Sequence, residues 1–286
     1  MFKPKKIIPL KARIFAHNIL WKFRQCTWRF RKLPDFLIIG AMKSGTTSLY
    51  EYLSQHPQID KPTHKEIYFF STNQYKKGLQ WYKAHFPLKH CKDKLTFEAS
   101  TDYIFVPNTP KRIHQRLPEV KLILLLRNPV DRAISHYFHE IQRYREHLSI
   151  SEALEYEDFR LPPVESLFQH DIKISNYNNN PFIHFSYKSR GVYVNQIKRF
   201  FKYFPHNKIF IVNSEKFYSQ TNDVMKQIYQ FLEIDTNFLV KDMTPRNVTS
   251  NSIKTHVSED IYKYLYDYFK PYNQELYKLL GQEYNW

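Results

Sequence analysis

Apolar residues in this chain fall into short, nearly uninterrupted runs separated by long polar and helical stretches. Phe36-Leu-Ile-Ile39 follows Asp35, and Val120 to Leu126 is broken only by Lys121. Lys94-Leu-Thr-Phe-Glu98 and Lys208-Ile-Phe-Ile-Val212 have the same length. Runs of this kind predict strands of a parallel sheet covered on both faces. Between them, spacing near 3.6 predicts helices over Thr46 to Gln55, Thr109 to Gln115, Pro129 to Gln142, Val194 to Tyr203, Asn222 to Leu232 and Ser258 to Leu280. His56-Pro57 ends the first of these. The alternation predicts an α/β fold three layers deep, with a central, mostly parallel sheet flanked by helices; the glycine-punctuated loop described below makes it of the P-loop type. Right-handed crossovers then bring the loops that follow the strands to one edge, where ligands bind.

Two stretches fall outside this alternation. From about Tyr156 to Lys188, Pro162-Pro163 and Asn178-Asn-Asn-Pro181 interrupt any period. Long irregular segments in compact domains are often lids or binding walls, so this one is assigned as an acceptor-side insertion. Residues 1–33 contain ten Lys and Arg, and their longest uncharged run, Ile14 to Trp21, is far short of the roughly 20 residues that cross a bilayer. Ile14, Phe15, Leu20, Trp21, Trp28 and Phe30 among Arg13, Lys22, Arg24, Arg29, Arg31 and Lys32 suit a basic helix lying on an anionic membrane. A helix packed on the domain with its charges in water suits them equally. Residues 1–33 are thus expected to be a basic extension, and residues 34–286 one domain.

Composition bounds the remaining choices. A chain of 286 residues with 42% hydrophobic and 17% aromatic residues has enough apolar surface for a core, and disorder is excluded as a description of the whole. Cys26 and Cys91 make at most one bridge, so a disulfide framework is excluded and a reducing, cytoplasmic setting is the simpler expectation. The net charge of +16 predicts an anionic partner. A basic nucleic-acid-binding protein would also account for it, together with the many Tyr and Phe residues. That class leaves the phosphate motifs described next unexplained.

Directly behind the first strand lies Gly40-Ala-Met-Lys-Ser-Gly-Thr-Thr47, leading into a helix. A strand, a glycine-punctuated turn and a helix start aim backbone N–H groups at a phosphate. An ATP or GTP hydrolase places its lysine immediately after the second glycine, followed by Ser or Thr for magnesium. Here Thr46 occupies that place and the lysine is Lys43, mid-loop. The loop is suited to a 5′-phosphate without a metal or a γ-phosphoryl group. At the end of the third predicted strand, where a magnesium-dependent enzyme commonly has Asp, stands Arg127, followed by Asn128-Pro129 and, two turns into a helix, Ser135. A guanidinium there is a forked donor for a second phosphate. Both features oppose the reading as a nucleotide kinase.

On these motifs the chain resembles the sulfotransferases that use 3′-phosphoadenosine 5′-phosphosulfate (PAPS), in particular the heparan sulfate and carbohydrate branch and its bacterial type. The resemblance rests on Pro34 to Leu49, Lys65-Glu-Ile-Tyr-Phe-Phe70, Arg127 to Tyr137, Ser189-Arg-Gly-Val-Tyr-Val-Asn-Gln196 and the closing stretch Pro271 to Trp286. It implies an O-sulfotransferase that moves a sulfuryl group from PAPS to a hydroxyl of a carbohydrate, glycolipid or polysaccharide by in-line attack, without a metal and without a nucleic-acid partner. By this resemblance Lys43, Ser44, Gly45, Thr46, Thr47 and Ser48 hold the 5′-phosphosulfate, with Lys43 at the bridging oxygen. Arg127 and Ser135 hold the 3′-phosphate, Arg190 and Gly191 line the nucleotide side, and Tyr193 packs there. Glu66 matches the catalytic base. Two departures limit the match. Ala99 stands where the heparan-type enzymes carry a lysine, and the late nucleotide loop survives only loosely around Arg246. His136 and His139 are expected to be helix residues near the nucleotide. The cysteine count places the enzyme in the cytoplasm, at the inner face of a membrane if residues 11–32 bind lipid.

Overall fold

Phe36, Leu37, Ile38 and Ile39 are all fully buried, which a strand achieves only when both its faces are covered. The computed structural model describes residues 10–89, 94–163, 166, 171–246 and 257–286. Five strands, β1 (Phe36–Gly40), β2 (Ile59–Asp60), β3 (Leu95–Ala99), β4 (Lys121–Leu126) and β5 (Ile209–Asn213), form one sheet in the order β2-β3-β1-β4-β5. Every pairing is parallel. The described helices are α1 (Leu10–Cys26), α2 (Thr46–Leu53), α3 (Gly78–Lys83), α4 (Thr109–Arg116), α5 (Pro129–Gln142), α6 (Ile150–Glu155), α7 (Glu157–Arg160), α8 (Pro181–His184), α9 (Tyr193–Phe201), α10 (Ser214–Ser219), α11 (Thr221–Leu232) and α12 (Glu259–Leu280).

The period of two along the strands sorts their side chains into two cores. Leu37 and Ile39 of β1, with Leu122, Leu124 and Leu126 of β4, pack with Ile113 of α4, Ile134 of α5, Ile197 of α9 and Phe269 of α12. The intervening Phe36, Ile38, Ile123 and Leu125 face Leu49 and Leu53 of α2, Phe217 of α10 and Ile228 of α11. The three-layer expectation therefore holds. The one strand that hydrophobic patterning misses is β2, whose two residues are too few to show any period. Elsewhere predicted and observed ends agree within about two residues, and α5 begins and ends where its Pro129 and its apolar period place it.

Strand order decides where a ligand sits. From central β1 the chain moves to β3 on one side and then to β4 on the other, so the loops after β1 and β4 diverge and leave a crevice at this edge. Asn247-Val248-Thr249, which has the Asn-X-Thr pattern of a glycosylation acceptor, and Cys91 lie outside the described residues.

Candidate active site

Four strand ends open into one cavity of about 840 Å³, within the range of ligand-binding clefts. Met42, Lys43, Gly45, Thr46 and Thr47 line it after β1, Thr101 and Asp102 after β3, Arg127 after β4, and Ser214 and Glu215 after β5. The turn behind β1 requires left-handed backbone at Lys43 (φ 68°) and Gly45 (φ 93°). A Cβ on Gly45 would meet the Tyr218 Oη at 2.7 Å, so the phenol lies against the loop where glycine leaves room. Beneath the loop, Ser214 Oγ donates to the Ser44 carbonyl at 2.9 Å, and Arg127 Nη1 donates to the Lys43 carbonyl at 3.2 Å. The third hydrogen bond of this brace runs from Tyr193 Oη to the Arg127 carbonyl at 3.0 Å. Tyr193 itself is buried behind the cavity wall rather than lining it.

These contacts bring two cations together. Burial, and then the neighbouring Arg127 guanidinium, push the Lys43 ammonium down to about 8. Among the described residues neither Lys43 nor Arg127 has a carboxylate within ion-pair distance, whereas Lys65, Arg145 and Arg246 are paired with Glu66, Glu140 and Asp242. Two partly buried positive groups in mutual repulsion favour an anion between them.

Glu66 stands across the cavity from no regular element. Its backbone is left-handed (φ 64°), and its N–H donates to the Ala99 carbonyl at 2.8 Å, tying the residue to the end of β3. Lys65 Nζ lies 3.2 Å from Glu66 Oε1 and 3.0 Å from Thr47 Oγ1, bridging the carboxylate to the phosphate loop. Tyr68 donates its hydroxyl to Oε2, and Thr101 Oγ1 lies 3.4 Å from Oε1. The Tyr68 ring packs on Tyr177 at 4.6 Å between centroids. Burial and the adjacent carboxylate raise the Tyr68 phenol well above its ordinary range, so it acts as a donor only. Glu98, the other glutamate near this edge, is fully buried and accepts from Ser100, Tyr103 and Tyr82, a structural role.

Comparison with known proteins agrees with this geometry. A family model described as "Sulfotransferase domain" matches residues 33–267, most of the chain. The chain belongs to the sulfotransferase family. It is 30% identical to the membrane-associated sulfotransferase kil1 of Dictyostelium discoideum over 89% of its own length and 66% of that protein. Heparan sulfate glucosamine 3-O-sulfotransferase 5 of Mus musculus is 24% identical over 98% of this chain and 84% of the relative. The crystal structure of a sulfotransferase from Alicyclobacillus acidocaldarius, 28% identical, superimposes with a TM-score of 0.67 over 88% of this chain and 98% of that one. The motif-based resemblance is thus correct at the level of family and fold, and the protein is a sulfotransferase.

Within the family frame, the residues expected at the site, Glu66 as base and the others as nucleotide ligands, divide. Lys43, Gly45, Thr46, Thr47, Glu66, Arg127, Ser135 and Arg246 all reach the cavity wall. The side chains of Ser44 and Ser48 are buried behind it; Ser48 Oγ accepts from the Arg246 N–H at 2.9 Å and anchors the late loop. Arg190 requires a correction. Its guanidinium, almost wholly buried, faces Asp102 at 2.8 Å, Ser186 Oγ at 2.7 Å and the Phe182 carbonyl at 3.1 Å, one layer behind the wall. Gly191 also stands off the wall; a Cβ there would meet Phe269 at 2.6 Å, so it is a packing glycine. His136 is fully buried, and burial followed by Arg132 pushes its imidazole well below its usual range. His139 reaches the wall, lowered to about 4 by burial and then Lys43.

Two further wall residues on the same helix face as Ser135 and His139, Asp131 and Arg143, were not singled out from sequence. Asp131, Ser135, His139 and Arg143 all line the cavity and are spaced by four along α5. That period, applied to the correctly predicted helix, was a signal sufficient to find Arg143. Asp102 and Tyr218 carry no such local signal, whereas Tyr177 belongs to the aromatic residues of the 156–188 insertion that could stack on a sugar ring.

Proposed function

We propose that the protein is a PAPS-dependent O-sulfotransferase acting on a hydroxyl of a carbohydrate, glycolipid or polysaccharide precursor. The observation that carries this reading is the pair of cations without an ion-pair partner, Lys43 and Arg127, whose guanidinium donates to the Lys43 carbonyl, on the wall of the cavity that Glu66 also lines. The residues fit a doubly anionic nucleotide, because Lys43, Arg127 and Arg143 line the cavity without a carboxylate in ion-pair distance among the described residues. Lys43 with the N–H groups of Gly45 to Thr47 would take the 5′ end, and Arg127 with Ser135 the 3′-phosphate. PAPS supplies the sulfuryl group and a bisphosphate leaving group.

In this reading Glu66 accepts the proton of the acceptor hydroxyl at its carboxylate. Lys65 and Tyr68 aim that carboxylate through their hydrogen bonds to its two oxygens. Lys43 offers positive charge where negative charge builds on the leaving oxygen, and positioning with charge stabilisation suffices without a covalent intermediate. The carbohydrate acceptor is supported by the heparan sulfate relatives, and Tyr177, Ile183 and His184 at the wall support residues 156–188 as the acceptor side. We assign residues 34–286 as the catalytic unit and residues 1–33 as an extension. A cytoplasmic enzyme at the inner membrane face is supported by the two-cysteine composition and by the membrane association stated for kil1.

The direct test is calorimetric binding of adenosine 3′,5′-bisphosphate together with transfer of radiolabelled sulfate from PAPS into a panel of cell-envelope glycans. Binding is expected, and Arg127→Met is expected to weaken it by about a hundredfold through loss of a bidentate charge-assisted contact. No association with the bisphosphate would overturn the reading. A pH series gives a second check. With Lys43 titrating near 8 in the free protein, affinity is expected to fall severalfold as pH rises from about 7 to about 9, because only the ammonium attracts the anion. Lys43→Met should bind weakly and with a flat profile over that range; an unchanged slope in this variant would remove Lys43 from the contact.

A further inference from the structure

Helix α1 has two unlike sides. Toward the domain, the Trp21 ring packs on His85 at 4.6 Å and on Trp81 at 6.1 Å between centroids. Arg24 donates through Nε to the Ala84 carbonyl at 2.6 Å and through Nη2 to the Phe86 carbonyl at 2.8 Å. His17, one turn before Trp21, is close enough to His64 to help lower its imidazole, after burial. His17, Trp21 and Arg24 share one face by helical spacing. The opposite face carries Phe15, Ile19 and Phe23 at intervals of four, 68%, 53% and 55% exposed, with exposed Ala12, Ala16 and Leu20 beside them. A four-turn helix anchored by one face would ordinarily turn its polar residues to water on the other. Here the water side is the apolar one.

Charge identifies what covers this face. No Asp or Glu occurs before Asp35, and exposed Lys11, Lys22 and Arg29 accompany the stripe, with Phe30 68% exposed beyond its end. A second copy of the helix would bring cations against cations with no carboxylate to pair them. No helix among the described residues is long and apolar enough to cross a membrane. An apolar stripe flanked by cations alone matches the boundary between anionic headgroups and acyl chains. We propose that the Phe15, Ile19 and Phe23 face of α1 lies in the headgroup region of an anionic bilayer, and that the acceptor is a glycolipid presented at that surface. The fold links the two, because the Trp21 ring of α1 packs on His85, the His85 ring packs on His64 at 5.0 Å between centroids, and His64 is two residues from Glu66. The acceptor part rests on the sulfotransfer reading above; the docking part does not.

The test is co-sedimentation of the full chain with phosphatidylcholine vesicles, with and without about one third phosphatidylglycerol. Binding at least about tenfold stronger to the anionic vesicles is expected, and Phe15→Glu with Phe23→Glu should abolish it while affinity for adenosine 3′,5′-bisphosphate stays unchanged. Equal partition into both vesicles, or full binding by the double variant, would overturn the docking. So would a wild-type dimer that the double variant dissolves in sedimentation velocity, since a second copy would then own the stripe. For the acceptor part, the double variant should lose transfer to a glycolipid in anionic vesicles and keep transfer to its water-soluble headgroup; equal loss on both overturns it. Lipid binding without any transfer by the wild type would sink the enzymatic reading and leave the docking standing.

Discussion

Replacing Glu66 by Gln is expected to lower sulfuryl transfer by about 10²- to 10⁴-fold, the usual worth of a positioned general base. The amide keeps the shape of the side chain and its place between Lys65, Tyr68 and Thr101, but it has no basic oxygen to take a proton. In the proposed arrangement Glu66 faces the acceptor side and the phosphate loop holds the nucleotide, so affinity for adenosine 3′,5′-bisphosphate should change by no more than about twofold. Product assays on the native and substituted enzymes at saturating donor separate the two effects. Turnover retained within about threefold would remove Glu66 from the chemistry.

The second large effect is on stability and concerns Arg190. Arg190→Met leaves the Asp102 carboxylate with Tyr177 as donor and no cation, in a site where both partners of the pair are almost wholly buried. Breaking a buried pair by removing one member costs about 3–5 kcal/mol. For a chain of this size that lowers the melting temperature by roughly 10 °C. Loss of the Arg190 contact over the Phe105 ring at 4.3 Å adds to it. Adding Asp102→Asn should recover most of the loss, since no charge is then left alone. The folded Arg190→Met protein should bind the bisphosphate normally. A variant with native melting behaviour and lost nucleotide affinity would return Arg190 to the wall of the cleft.

Sulfuryl transfer places unequal demands on what a sequence exposes. The phosphate loop is legible because its parts are contiguous: a buried strand, two positive-φ positions within three residues and a helix start all lie between Phe36 and Leu53. Arg127 is legible because a strand end followed by Asn-Pro fixes its place at the edge of the sheet. Arg190 was misplaced because its partner Asp102 lies 88 residues away in the chain, and nothing local shows that the guanidinium turns inward. Residues 65–70 gave a motif without a periodicity, so the left-handed backbone at Glu66 and Tyr68, and with it the direction of the carboxylate, had no local signal.

The linear order of residues by itself determined the three-layer parallel architecture, the anion-binding turn and the absence of the lysine and acid that a triphosphate hydrolase places around magnesium. These are local properties, carried by runs, periods and turns a few residues long. Tertiary structure alone decided which cations lack an ion-pair partner, how Lys65, Tyr68 and Tyr177 are arranged about the Glu66 carboxylate, that Arg190 serves the fold, and that α1 turns its apolar side outward. Each of those depends on charge partners and packing faces supplied by segments distant in sequence, whose meeting is set by the order of strands in the sheet.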